Sequence, residues 1–577
     1  MPTLDFKGKP FVYSHHLSVP FRGLEIDKKK SMPGKDGPSL DDNLIIHGDN
    51  LEALKALLPK YAGKVDVIYI DPPYNTGNEG WVYNDNVNSP LMKNWLGDIV
   101  DGDDLEKHDK WLSMMWPRVT LLRELLSETG YIAISCDNNE YHNLVGMMNE
   151  VFGQSNFINN ITIRANPRGR QSDKKAATVH DYLLVYAKDH SECLFTGLPP
   201  SDDYELDFKH IDADGRKWRE LGLRQRGAAS NREDREDMFF PIYVDTVTGE
   251  VSLKQTSKFD HKVLPLKSNG VEGRWSWGKA KVKKDSTLIY GRTVKGKNGP
   301  RVGIFYRDYF DKGGVGRWQR VKTIWDDKLV NTERGGKLLK DIFNTKKVFD
   351  YPKPIELIER VIQIHSKKNC LILDSFAGSG TTGHAVMRLN QNDAGTRKFI
   401  LIETESYADN ITAERIRRII KGVPKAKNEF LKKGIRSSFT YCDLGDPIDI
   451  DAFFNGDENM PSYQQIASYI AYTATGEALT KSPKIPRKDW FIGEINGTRL
   501  HLIYKDDADF MKSGAAALTE DLAKEIAKSN TSGKTAYVFG AVKYMSQKEL
   551  STHDYQIQFC QLPYSIYRIM GDAPGTE

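Results

Sequence analysis

A chain of 577 residues that is 39% hydrophobic and 28% charged has room for roughly three or four domains and the composition of a globular protein. It holds no run of about 18 apolar residues, so no membrane span is expected, and its opening MPTLDFKGKPFVYSHH lacks the apolar core of a signal peptide. Five scattered cysteines (Cys136, Cys193, Cys370, Cys442, Cys560) give neither a disulfide framework nor metal-ligand spacing, which points to a reducing, cytoplasmic setting without structural zinc.

Residues 1–42 read as an irregular N-terminal arm, since KKKSMPGKDGPSLDDN is dense in turn formers and charge. LIIHGD (44–49) predicts a short buried strand, LEALKALLPKY (51–61) a helix capped by Asn50, and VDVIYID (65–71) the next strand. Such a β-α-β unit predicts a parallel sheet. KWLSMMWPRVTLLRELLSETG (110–130) predicts a helix ending at glycine and YIAISCD (131–137) a third strand, so residues 43–155 form one α/β stretch. Over 156–345 strong helices disappear, and short β-like runs such as RWSWGKAKV, STLIYGRTV and RVGIFYRDYF alternate with turns. Residues 251–322 hold 18 Lys and Arg against 5 Asp and Glu, so the rest of a chain with net charge +4 is acidic on balance. Trp275, Trp277, Tyr290, Phe305, Tyr306, Tyr309 and Trp318 interleave with these cations. Local positive charge with stacking rings is a footprint of nucleic-acid binding, although a solvated β surface shares it. The α/β pattern returns over 346–428. PIELIERVIQIHS is helical with Pro354 in its first turn, NCLILDSFAGSGTTGHAVMRL is strand, glycine turn and helix, and KFILIETES is a strand. Residues 429–577 read as a small α+β domain.

Two strand ends carry chemistry. The run from Asp374 through Phe376 and Ala377 to Gly378 and Gly380 leaves a strand on an acid and enters a helix through alternate glycines, which lets a cofactor approach the backbone. No Lys follows GSGTTG, which excludes a Walker A loop. The dinucleotide spacing fits by letter, but the preceding Asp and Phe are foreign to that fingerprint. Glu403 ends the following strand, where an acid suits ribose hydroxyls. In Asp71-Pro72-Pro73-Tyr74 a strand stops on a carboxylate that accepts hydrogen bonds, beside a proline carbonyl with no competing N–H. Two neighbouring acceptors suit an exocyclic amino group and draw its lone pair out of ring conjugation, and Tyr74 offers a stacking face for an extruded base. A turn with an incidental acid is the plain alternative for D-P-P alone.

IDPPYNTG (70–77) and DSFAGSGTTG (374–383) together resemble the catalytic and cofactor motifs of the amino-group DNA methyltransferases that use S-adenosylmethionine. The catalytic motif precedes the cofactor motif by about 300 residues, an order that resembles the permuted β-class enzymes. NEGWVYNDNVNSP (78–90), HDKWLSMMWPRVTLLRELL (108–126), SCDNNE (135–140), FDYPKP (349–354) and FCQLPYSIYRI (559–569) are similar to the modification (Mod) subunits of type III restriction–modification systems. The resemblance implies an α/β, Rossmann-like fold with a permuted seven-stranded sheet. It also implies an inserted, mostly β target-recognition domain and a C-terminal α+β domain used in dimerisation or partner contact. Asp71, Pro72, Pro73 and Tyr74 would be catalytic. Asp374, Phe376, Ala377, Gly378, Gly380 and Glu403 would hold the cofactor, with Asp49 near its adenine and Lys353 and Pro354 beside its methionine end. DNA contacts are expected from Arg274, Lys279, Lys281, Lys283 and Lys284, and from Arg292, Lys295 and Arg301.

Asp rather than Ser at position 71 resembles the adenine-N6 enzymes more than the cytosine-N4 ones. The expected activity is methyl transfer to adenine N6 in double-stranded DNA with base flipping. The expected enzyme is a homodimer that relies on a separate helicase–nuclease subunit for cutting and is bound to the nucleoid of a prokaryotic cytoplasm. A cytosine-N4 enzyme, a solitary or phage methylase, and a non-catalytic DNA-binding module are the alternatives, and the intact motifs argue against the last. The Pro-Cys nucleophile of cytosine-C5 enzymes and the H-x-E and P-C-x-x-C signature of zinc deaminases are absent.

Overall fold

The computed structural model describes residues 3–76, 106–169, 175–200, 202–296, 299–312, 315–316, 318–345, 348–447, 460–530 and 533–562. The motif at 78–90 and the end of the one at 559–569 lie outside them. The chain divides into two compact units, Met1–Thr196 with Val321–Glu577, and Gly197–Arg320.

In the first unit ten strands share one sheet: β1 (Arg22–Met32), β2 (Leu44–His47), β3 (Val65–Ile70), β4 (Leu126–Cys136), β5 (Phe157–Ile163), β6 (Asp181–Ala187), β7 (Ile324–Trp325), β8 (Leu371–Asp374), β9 (Lys398–Glu403) and β10 (Phe439–Pro447). Their order is β1-β10-β2-β9-β8-β3-β4-β6-β5-β7. From β10 to β4 all neighbours are parallel, and β1 and β6 run against them. The central strands are apolar at nearly every position because both faces are covered. Ile68 and Ile70 of β3 join a core with α1 (Asn50–Tyr61) and α2 (Lys107–Leu125), while Val67 and Tyr69, which alternate to the other face, are buried as well.

Several expectations change. Residues 22–32 are not irregular: β1 is an edge strand paired with β10, and its polar, Lys-rich face hid it from a reading based on apolar runs. With β1 and β10 at one edge and β7 at the other, the sheet has ten strands, three more than the resemblance implies. Helix α2 ends at Leu125 and β4 begins at Leu126, so LSETG is strand; a Cβ on Gly130 would lie 2.8 Å from the Asp66 carbonyl of neighbouring β3. Asp49, not Asn50, caps α1. Within 156–345, Thr332–Phe343 is a full helix, and KAKVKK, which overlaps the end of the β-like run RWSWGKAKV, is a short helix, Lys279–Lys284.

The second unit carries a four-stranded antiparallel sheet, with Gly299–Tyr309 between Ile289–Gly296 and Lys217–Gly222, and a three-stranded sheet around Ile242–Val244. Trp275, Phe240, Ile242 and Ile304 lie in their shared core. Beyond β10, a four-stranded sheet (Phe491–Ile495, Thr498–Leu502, Ala536–Gly540, Ile557–Gln561) and the helix Tyr463–Thr475 pack into the same core as α1 and α2. Among the described residues no helix is long and apolar enough to cross a membrane, and no His, Cys, Asp and Glu cluster suits a metal.

The sheet reverses its winding between β8 and β3. From β8 the chain passes through a helix (Thr381–Asp393) to β9 on one side; from β3 it passes through α2 to β4 on the other. Open α/β sheets bind ligands outside the carboxyl ends of their strands at such a point.

Candidate active site

β8 delivers Asp374 to this crevice. It is 3% exposed and accepts from Phe376 N at 3.1 Å and Thr382 Oγ1 at 2.5 Å. Gly378 and Gly380 have φ of 51° and 75°, where a side chain is strained. A Cβ on Gly380 would lie 3.0 Å from the Thr412 carbonyl, and one on Gly378 would lie 3.1 Å from the Phe349 ring. The glycines are therefore required by the protein's own packing. Ala377 N donates to Ile402 O at 3.0 Å, and Phe376 is partly buried against the core.

Glu403, at the end of β9, is 6% exposed and accepts from Gly378 N at 2.7 Å and Glu405 N at 3.0 Å. Burial pushes the carboxyls of Asp374 and Glu403 up to about 7, overriding these hydrogen bonds. Asp49 lies at the end of the strand beside Glu403, where Gly48 N donates to Glu403 O at 3.1 Å. Its Oδ1 accepts from Leu51 N and Glu52 N, and its Oδ2 pairs with Arg118 at 3.4 Å. Asn50 instead ties α1 to the glycine loop by donating to Ser375 O at 3.0 Å.

Asp71-Pro72-Pro73-Tyr74 leaves β3 beside this loop. Trp111 Nε1 donates to the Pro73 carbonyl at 2.7 Å. Asn75, buried in the left-handed region at φ 59°, donates to Lys107 O at 3.0 Å and Glu140 Oε1 at 2.5 Å. Glu140 also meets His108 at 2.7 Å and Asn143 at 2.7 Å, and burial raises its pKa. The segments at 108–126 and 135–140 thus form the frame that fixes the turn.

Lys353, expected on a cofactor, reaches the catalytic motif. Its Nζ lies 2.9 Å from Asp71 Oδ1 and donates to Tyr74 Oη at 2.6 Å. The first contact is an ion pair, and the Tyr74 hydroxyl also interacts with the Asp71 carboxylate. Burial alone would lower the Lys353 pKa, but Asp71, with Asp181 and Asp137 behind it, raises it. Burial, then Asp71, likewise drives the Tyr74 phenol far up. Pro354 precedes the helix Ile355–Gln363 as its N-cap, and a small cavity there is lined by Lys353, Asp181 and Ser135. Only the FDYPKP segment hinted at this lysine, and nothing in the letters gave its partners.

The basic candidates in the second unit divide. Lys279, Lys281, Lys283 and Lys284 crowd one short helix with only Val282 buried, and Lys281 pairs with Asp285 at 2.9 Å. Arg292 is clamped by Glu220, and Arg274 donates to Ala229 O at 2.5 Å. Register places Arg292 and Arg301 on one sheet face and Lys295 on the other. Lys283, Lys284, Lys295 and Arg301 have no ion pair among the described residues. Arg224 and Arg226 lie outside the basic stretch; burial and then the charges of Arg226 and Arg301 lower the Arg224 pKa.

A doubly wound sheet with an acid-Pro-Pro-Tyr turn and a glycine loop on adjacent strands defines a class. The chain belongs to the N6/N4 DNA methylase family, whose model matches residues 65–414. It is 36% identical over 381 residues to the type II methyltransferase M.KpnI of Klebsiella pneumoniae, covering 66% of this chain and 84% of that one. It is 34% identical over 466 residues to the Mod subunit of the type III restriction-modification enzyme EcoPI of Escherichia phage P1, covering 77% and 70%. The StyLTI Mod subunit of Salmonella typhimurium is also 34% identical, over 64% of this chain and 53% of that one. Among solved structures, a DNA modification methylase of Thermus thermophilus complexed with S-adenosyl-L-methionine matches 70% of this chain and 98% of its own. Its identity is 14% and its TM-score 0.32.

Proposed function

We propose that the chain transfers a methyl group from S-adenosylmethionine to adenine N6 in duplex DNA, as the modification and specificity subunit of a type III restriction–modification system. One observation carries this reading: the Asp71 turn and the glycine loop leave adjacent parallel strands, where Ile372 pairs with Val67 and Leu373 with Ile68. In this reading the strands β2-β9-β8-β3-β4-β6-β5 would be the family's seven in permuted chain order, and the compact unit Gly197–Arg320, within the expected 156–345, would be the body of the target-recognition insert. The residues fit the cofactor. Buried carboxylates are costly where they stand, and hydroxyl donors and a nearby cation relieve them. Asp374, Phe376, Ala377, Gly378, Gly380 and Glu403 would hold it, with Asp49 toward its adenine and Pro354 toward its methionine end. When bound, it supplies an electrophilic methyl group on its sulfonium.

The target base first leaves the stack. Asp71 Oδ2 and the Pro72 carbonyl accept its amino N–H bonds and turn the nitrogen lone pair outward, and the nitrogen releases one N–H proton to the Asp71 carboxylate or to water as or after it gains the methyl. Lys353 engages Asp71 Oδ1 and the Tyr74 hydroxyl, fixing the carboxylate and the ring that supports the base. Catalysis then rests on positioning and electrostatics rather than on a covalent intermediate. The same acceptors suit cytosine N4, so the product must be identified. In this reading the protein works in the cytoplasm as a homodimer and needs a separate restriction subunit to cut.

Methylation-aware sequencing of plasmid from cells expressing wild type or Asp71→Ala tests the proposal. N6-methyladenine at one short motif, on one strand of an asymmetric site and lost in the variant, is the expected result. Modified cytosine would change the target, and no modification by a folded, cofactor-binding protein would overturn the reading.

A further inference from the structure

Tyr351 sits two residues before Lys353, with its backbone in the left-handed region at φ 52° and 83% of its surface exposed. A bulky residue in that region is an outlier, and such strain persists where the surroundings impose it. Here they do. On one side Phe349 packs on Gly378 and meets Tyr407 edge-on at 5.5 Å. On the other, the carbonyls of Pro352 and Lys353 press against Gly335, where no side chain fits, and Lys353 itself reaches Asp71 and Tyr74. Both ends of the turn are fixed to the glycine loop and the catalytic motif, and the aromatic ring at its apex is left in water. Two residues of backbone span at most about 7 Å, so the Tyr351 Cα lies within that distance of Lys353, whose ammonium meets Asp71 and Tyr74.

The geometry points to Tyr351 as a DNA-stacking residue: its ring enters the duplex at the position the target base vacates. Tyr74, half-buried beside Asp71, meets the base that has left. An outward ring on a rigid turn is suited to the stack, and an inward ring held by Lys353 is suited to the flipped base. This inference rests on the methyltransferase reading and adds the residue that stabilises the emptied site.

The test places 2-aminopurine at the target position of the methylated motif and follows its fluorescence on binding, with methylation kinetics beside it. Tyr351→Ala is expected to lose most of the fluorescence gain and to lower kcat/KM for DNA about 5- to 150-fold, the range of one base–aromatic stack. Tyr351→Phe and Tyr351→Trp keep both, and sinefungin affinity is unchanged in all three. A mismatch opposite the target base, which weakens its pairing, restores most of the loss in Tyr351→Ala. Wild-type fluorescence in Tyr351→Ala, or a loss that the mismatch does not relieve, overturns the inference. So does a variant that is slow only because its oligomeric state has changed. Wild-type protein that neither methylates nor flips removes the methyltransferase reading itself, and this inference with it.

Discussion

Lys353→Met removes one charge and keeps most of the side-chain volume. The ammonium lies 2.9 Å from Asp71 Oδ1 and 2.6 Å from Tyr74 Oη, in a site where Lys353 and Asp71 are 13% and 26% exposed. Breaking a fully buried pair costs about 3–5 kcal/mol. Partial exposure of Asp71 screens this, so about 2–3 kcal/mol is the working figure. If the pair acts to orient Asp71 and Tyr74, that cost falls on the transition state. At about 1.4 kcal/mol per factor of ten, kcat drops roughly 30- to 150-fold. The Lys353 pKa is raised above 10.5, so its stabilising contribution is fully present below that value and the defect is constant across neutral pH. Single-turnover methylation of a defined oligonucleotide reads the rate, and calorimetry with sinefungin reads the cofactor site. A kcat within twofold of wild type refutes the positioning argument. A sinefungin affinity that falls while kcat holds assigns the lysine to the cofactor instead.

Glu403 titrates near 7 against an ordinary 4.5, so its contribution to stability is fully present below about 4.5 and is lost as pH rises through 7. Thermal denaturation from pH 5 to 8 should therefore show a steeper fall for wild type than for Glu403→Gln, and parallel curves would contradict the assignment. Cofactor hydroxyls favour the ionised carboxyl, so sinefungin should bind more tightly at pH 8 than at pH 6 and release protons, measured by calorimetry in two buffers. Gly380→Ala forces a side chain into φ 75° against the Thr412 carbonyl and should cost about 1–2 kcal/mol in urea denaturation; no change would mean that the turn relaxes freely. Neutralising Lys283, Lys284 and Arg301 should flatten the log–log salt dependence of DNA binding by about 1 for each phosphate that is no longer neutralised. An unchanged slope would place the DNA elsewhere.

The parts legible in the sequence were those whose signal is local. VDVIYI, LILD and KFILIE announce buried parallel strands, and their terminal acids and glycines announce the crevice. β1 was hidden because RGLEIDKKKSM is an edge strand whose polar face looks like loop. The Lys279–Lys284 helix was hidden because one buried valine gives no period. Asp49 and Asn50 are adjacent cap formers, and only Asn50's bond to Ser375, far along the chain, separates their roles. The Lys353–Tyr74 contact spans 279 positions and leaves no trace in spacing.

The pairing of β3 with β8 has a consequence for biogenesis. Val67 waits for Ile372, so a ribosome adding about 5–20 residues each second leaves the central edge of the sheet open for about 15–60 s. In that interval an apolar strand with unpaired backbone groups stands in the nascent chain, the arrangement that recruits misfolded partners. The insert closes its own strand pairs within Gly197–Arg320 and does not share this delay. A holdase present during synthesis should therefore raise the yield of folded protein, whereas slowed elongation lengthens the exposure of this edge and should lower it.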